Sequence, residues 1–224
     1  MSRRPSTPRY QQTKSRAQVG GNDRLHAQAL SADARIDGPP SNALAVWMAV
    51  RHVGHSEDMR PPVLLTGGPA AGKSATARRL VQPLRRAAVI DVDDIRHLVV
   101  AGHAAPWDGT EGQLQQRIGV ENACDLARRY LHWGIDVVLS DVLNSETAAL
   151  YRHLLPGILI VQLRLPLAEA RRRANLRPAY LTEDEFNALH ALQATELAPD
   201  HVLEVGSLSL GDQSDAVARL WTAG

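Results

Sequence analysis

Lysine is almost missing from this 224-residue chain: Lys14 and Lys73 are the only two, although arginine is plentiful. With no lysine after Lys73, the N-K-x-D guanine signature of ordinary GTPases cannot occur in the rest of the chain. A single cysteine, Cys124, excludes an internal disulfide and suits a reducing cytosol, so a cytoplasmic location is expected. Cys124 lies in the helical pattern Asn122-Ala123-Cys124-Asp125-Leu126 and reads as core packing rather than as a nucleophile. Aromatics are scarce (four Trp, four Tyr, one Phe) and the formal net charge is +1, which together give little support for an extended nucleic-acid groove. No apolar run reaches the roughly 18 residues of a membrane span, and the N-terminal residues lack the apolar segment of a secretory signal. The nine histidines never fall into H-E-x-x-H or a similar metal spacing, so no zinc site is expected. Also missing are the G-x-S-x-G run of a hydrolase nucleophile and the L-S-G-G-Q signature of ABC-type ATPases. The balance that remains, 44% hydrophobic and 22% charged, is that of an ordinary globule with room for one well-buried α/β domain.

Against this background Lys73 stands out. It closes the run Gly67-Gly68-Pro69-Ala70-Ala71-Gly72-Lys73-Ser74, which fits G-x-x-x-x-G-K-[ST], the phosphate-binding P-loop. The run follows the apolar stretch Val63–Thr66 and precedes the helical Ala75-Thr76-Ala77-Arg78-Arg79-Leu80. Backbone N–H groups of a glycine-rich turn and a helix N-terminus together make a concave anion site. Residues Gly67 to Ala75 are therefore the expected nucleotide-binding segment. In it Lys73 would reach the outer phosphates of a nucleoside triphosphate and Ser74 would hold Mg²⁺.

Three regions are distinguishable along the chain. Residues 1–40, rich in Arg, Ser, Gln and Pro and without periodicity, read as a disordered basic tail ending at Gly38-Pro39-Pro40. Residues 41–60 read as an N-terminal helix and linker, with Ala43, Val46, Trp47, Val50 and Val53 at helical spacing; Met59 is a candidate start of the functional unit. Residues 61–224 then alternate strand and helix. Strands are expected at Val63–Thr66, Ala88–Val92, Ile135–Leu139, Ile158–Leu163 and Val202–Val205. Helices are expected at Ser74–Leu84, from Asp94 to about Ala101, Gln113–Trp133, Ser145–Leu154 with Ser145 as its cap, about 167–175, about 182–194, and Asp212–Trp221; Gly102–Gly112 reads as a loop. Apolar strands separated by helices imply a mostly parallel sheet covered on both faces.

In such sheets ligands bind beyond the carboxyl ends of the strands, so the polar residues there carry the chemistry. Asp141, after Val137–Ser140, has the position of a Walker-B acid and a candidate Mg²⁺ ligand opposite Ser74; a turn or helix-cap role is the alternative, and Asn144 could cap the next helix. After the second strand come Asp91, Asp93, Asp94 and Arg96. Phosphoryl transfer to an alcohol needs a carboxylate to take the hydroxyl proton, and Asp93 is the candidate base. Arg96, one helical turn on, can face the same cleft; Asp94 reads as an N-cap or first-turn acid, and Asp91 as a strand-end residue that could assist metal-bound water. Beyond the fourth strand lie Arg171, Arg172, Arg173 and Arg177. Arg173 and Arg177, four apart, are candidate lid arginines for developing phosphate charge, although Glu169, four before Arg173, equally fits a salt-bridged surface helix. Trp107 either stacks on an acceptor or plugs its loop, and His97 or His103 could hydrogen-bond an acceptor.

The succession GxxxxGKS, D-D-x-R after the second strand, an acid after the third and an arginine-rich stretch resembles small P-loop kinases. The likeness is to chloramphenicol phosphotransferase-like proteins and the kinase domain of polynucleotide kinases, with zeta-toxin kinases more distant, and it covers about residues 61–222. It implies an α/β P-loop NTPase three-layer sandwich with about five mostly parallel strands and an arginine-rich lid. It also implies ATP and Mg²⁺, Asp93 as general base and Arg96 holding the acceptor or its phosphate. The expected activity is transfer of the ATP γ-phosphate to a hydroxyl of a small molecule, an antibiotic or nucleoside-like compound being candidates. A polynucleotide 5′-hydroxyl kinase, a nucleotide-sugar kinase and a non-kinase ATPase switch are the alternatives. Oligomeric state is not legible.

Overall fold

The computed structural model describes residues 59–176, 181–191 and 197–223. The expected tail, the helix at 42–54 and Arg177 lie outside the described residues, as does the end of the helix expected over 182–194. Five strands form one sheet: β1 (Val63–Thr66), β2 (Ala87–Asp91), β3 (Asp136–Asp141), β4 (Leu159–Arg164) and β5 (His201–Glu204). Their order is β2-β3-β1-β4-β5, and every neighbouring pair is parallel. Parallel neighbours require crossover connections, and helices supply them: α1 (Lys73–Val81), α2 (Val92–Arg96), α3 (Gly109–His132), α4 (Ser145–Leu154), α5 (Leu167–Ala174), α6 (Glu183–Ala191) and α7 (Leu210–Ala223).

Strand alternation divides the apolar residues between two faces. Leu64, Val137, Leu139 and Ile160 pack with Val120, Ala123, Cys124 and Ala127 of α3 and with Ala148 and Tyr151 of α4. Val63, Leu65, Val138, Val161 and Leu163 pack with Ala77 and Leu80 of α1 and with Val217 and Trp221 of α7. Each fully buried Leu or Val stabilises by about 1.5–3 kcal/mol, so both faces hold the sheet firmly. Cys124 is fully buried in the first cluster, and burial pushes its thiol pKa up to about 12. That environment suits packing and leaves no thiolate for chemistry.

Several element boundaries differ from the sequence expectation. The second helix begins at Val92 rather than Asp94, so Asp91 is the N-cap residue and Asp93 and Asp94 both lie in the first turn, where the helix dipole favours them. The long helix begins at Gly109, not Gln113, because Gly112 is a packing glycine: a Cβ there would meet the Ala105 carbonyl oxygen at 1.9 Å. The third strand runs on through Ser140 and Asp141, which register with Leu65 and Thr66 of β1. Asn144, not Ser145, caps α4, in a reciprocal capping box with Thr147.

Candidate active site

The central strand β1 delivers the chain straight into the glycine-rich turn. Gly67, with φ 154°, abuts β4 so closely that a Cβ would stand 2.6 Å from the Leu163 carbonyl oxygen, so only glycine fits. Ala70 adopts φ 61°, uncommon for a residue with a Cβ, and Gly72 sits at φ 89° as the N-cap of α1. No side chain caps this helix and its first turn holds no acid, so its N-terminal N–H groups face the turn without a competing carboxylate of their own. Gln213 of α7, almost fully buried, braces the turn from behind: its Nε2 donates to Ala71 O at 3.1 Å and to Thr76 Oγ1 at 2.7 Å.

Lys73 Nζ reaches back across the turn and donates to Gly67 O at 2.7 Å and Gly68 O at 3.2 Å. Burial lowers its pKa, and the repulsion of Arg96 adds to this; the neighbouring charges of Asp93, Asp141 and Asp91 work in the opposite direction without cancelling it. The carboxylate set directly against Ser74 is Asp91, whose Oδ2 accepts from Ser74 Oγ at 2.7 Å. Ser74 and Asp91 are hard oxygen donors side by side, which suits Mg²⁺: that ion keeps several waters and is held by one or two protein oxygens plus substrate phosphates. Among the described residues no group of three or more His, Cys, Asp or Glu is placed to hold a metal ion.

Asp141 does not meet Ser74. It is fully buried at the end of β3, on the opposite face from the one Asp91 presents to α1. There Arg96 Nη2 donates to its Oδ1 at 2.8 Å, Val142 N donates to the same oxygen at 2.7 Å, and Tyr151 OH donates to Oδ2 at 2.9 Å. Both oxygens of Asp141 are thus engaged by protein donors, which anchors Arg96, and the carboxylate beside Ser74, where sequence placed Asp141, is that of Asp91. Arg96 also bridges to Asp93, whose carboxylate is 57% exposed while Arg96 itself is only 8% exposed. Burial opposes the Arg96 charge, but Asp141 and Asp93 outweigh it and hold the guanidinium pKa above its usual value. The buried Arg96 Nη1 has no hydrogen-bond partner among the described residues.

The segment after α2 is pinned as a loop against α3. Gln115, buried on α3, donates to Gly102 O at 2.7 Å and accepts from Ala104 N at 2.9 Å. The His97 and His103 rings lie 5.1 Å apart. Trp107 is 46% exposed, and Leu98 and Val100 are still more open.

The expected lid arginines that fall within the described residues are all tied down. Arg172 and Arg173 both pair with Glu169, lowering its carboxyl pKa to about 2. Arg173 Nη2 further donates to Val205 O at 2.9 Å, and Arg171 pairs with Glu183 of α6. Arg173 thus braces α5 against the end of β5. Sequence reasoning missed Gln213, Gln115, Tyr151 and Gly119. The one available signal was the pair Gly112 and Gly119, seven apart and so on one face of a helix.

No protein-family model matches the chain, and no curated protein does. Solved structures do match. APS kinase from Mycobacterium tuberculosis, in complex with AMPPNP and APS, superposes with TM-score 0.53 at 19% identity, over 72% of this chain and 98% of that one. Shikimate kinase from Acinetobacter baumannii, in complex with shikimate, gives TM-score 0.51 at 22% identity, over 73% of this chain and 94% of that one. A sugar kinase from Janibacter sp. gives 0.56 at 13% identity, over 73% and 95%. The chain has the P-loop kinase fold. At these identities the likeness is one of fold. No helix among the described residues is long and apolar enough to cross a membrane.

Proposed function

We propose that this protein is an ATP-dependent phosphotransferase that moves the γ-phosphoryl group of ATP to a hydroxyl of a small molecule. The observation that carries the reading is the juxtaposition at one end of the sheet: a P-loop whose Lys73 feels the charges of Asp93, Asp141 and Asp91, and an open carboxylate, Asp93, held by a buried arginine. Two neighbours in fold were solved with APS and with shikimate, which supports a small-molecule acceptor. The D-D-x-R pattern further supports kinship with the chloramphenicol phosphotransferase-like and polynucleotide kinase-like groups.

In this reading the N–H groups of residues 67–75 and the Lys73 ammonium hold the β- and γ-phosphates. Ser74 and Asp91 hold Mg²⁺, which when bound neutralises phosphate charge. Asp93 accepts the proton of the acceptor hydroxyl as its oxygen bonds to the γ-phosphorus and the bond to the bridging oxygen of ADP breaks. Arg96, ion-paired to Asp93 and anchored on Asp141, keeps the Asp93 carboxylate aimed.

The acceptor is sought by thermal shift with antibiotics, nucleosides and oligonucleotides in the presence of a nonhydrolysable ATP analogue. With that acceptor, Asp93→Ala is expected to keep ATP affinity while transfer falls about 10²–10⁴-fold, the usual contribution of a general base. Lys73→Ala is expected to weaken ATP binding and abolish turnover. Near-normal transfer by Asp93→Ala would rule this base out.

A further inference from the structure

The Arg96–Asp93 pair is exposed on one side only; on the other it rests on residues that the phosphoryl chemistry does not use. Asp141 is fully buried, and its two oxygens serve different side chains, with Oδ1 accepting from Arg96 and Oδ2 from the Tyr151 hydroxyl. Tyr151 comes from α4 and is itself fully buried in the apolar cluster, and its hydroxyl makes no other hydrogen bond among the described residues. A phenol placed in a core needs a partner, and this one has a carboxylate whose rotation about its last bond would otherwise be set by Arg96 and the Val142 N–H, both on the other oxygen. The arginine is confined on its other flank by α3: a Cβ at Gly119 would stand 2.7 Å from Arg96 Cγ and 3.4 Å from Cδ. The guanidinium therefore lies in a slot with one wall made by a missing side chain and its far end fixed by a carboxylate that a phenol holds in register.

We infer that Tyr151 is a positioning residue for the site: its hydroxyl fixes the Asp141 carboxylate, which fixes Arg96, which holds Asp93 where a hydroxyl acceptor would meet it. This rests on the phosphotransferase reading for its functional consequence, but the positioning itself is a property of the side chains and can be tested without any acceptor. Tyr151→Phe removes one oxygen and leaves the ring to fill the core.

The decisive measurement is ¹⁵N NMR of the arginine guanidinium groups, with the Arg96 signal identified by its loss in Arg96→Lys. In the wild-type chain the Arg96 Nη protons are expected to be resolved and slowly exchanging, because two carboxylates hold the group. In Tyr151→Phe they are expected to broaden and exchange at least tenfold faster. Gly119→Ala, which fills the slot from the other side, is expected to disturb the same signal while leaving the Tyr151 hydroxyl in place. With an acceptor in hand, kcat of Tyr151→Phe should fall on the order of tenfold at unchanged KM for ATP, since small displacements of a reacting group are costly. A purely structural tyrosine would lower the melting temperature and leave both the Arg96 signal and kcat unmoved. Arg96 signals identical in Tyr151→Phe and wild type would overturn the inference. A screen that finds no acceptor while those signals do change would instead count against the phosphotransferase reading alone.

Discussion

At the residue scale the proposed chemistry depends on a division of labour among three aspartates. Sequence brought Asp91, Asp93 and Asp141 together as strand-end acids, and alternation along β2 and β3 could have separated them, because neighbouring residues of a strand face opposite ways. Asp91 pairs with Ser74, whereas Asp141 shares its face with Val137 and Leu139 and belongs to the α3–α4 side. What could not be read was the partner waiting on that side, since Tyr151 carries no motif. The two acids should behave differently when removed. Asp91→Asn is expected to leave the fold intact and to raise the Mg²⁺ concentration giving half-maximal turnover about tenfold, as loss of one of few protein oxygens should. Asp141→Ala leaves the buried Arg96 with only an exposed partner and should cost about 3–5 kcal/mol of stability. A Mg²⁺ titration and a chemical-denaturation curve on each variant separate the two roles; a shift in Mg²⁺ requirement confined to Asp141→Ala would reverse the assignment.

At the scale of elements, most of what was legible came from apolar runs and punctuation. The strands and α4 were readable because each has a short apolar core bounded by Gly, Pro or a cap. The start of α3 was not, because Gly109 and Gly112 argue locally for a loop, and the reason for Gly112 is a carbonyl of another segment. The arginines of α5 illustrate the same limit: three in succession suggest phosphate, yet Glu169 lies one turn before and binds two of them. The contribution of α7 was wholly hidden, since Gln213 lies more than a hundred residues beyond the turn it braces. Gln213→Ala leaves Ala71 O and Thr76 Oγ1 without that donor and should cost about 1–3 kcal/mol in stability. Because the brace holds the phosphate-binding turn itself, ATP affinity measured by calorimetry is expected to drop several-fold as well. An unchanged affinity would mean that the turn keeps its shape without α7.

At the scale of the whole molecule, the sequence specified a parallel α/β sheet but not its order. Placing β1 in the middle, between β3 and β4, puts the P-loop at the point where connections turn to opposite sides, and there the strand ends open a crevice. That arrangement, more than any single motif, brings Lys73, Ser74 and the acids of β2 and α2 to one rim. The central claim is accordingly geometric: the turn at 67–74 holds the phosphates of ATP with Asp93 facing the outermost one. A crystal structure with Mg²⁺ and a nonhydrolysable ATP analogue tests it most directly. The account predicts the analogue's phosphates on the N–H groups of that turn, Lys73 Nζ moved from the Gly67 carbonyl onto them, the metal on Ser74, and Asp93 opposite the terminal phosphate. An analogue bound elsewhere, or an Asp93 carboxylate turned away from that phosphate, would contradict it.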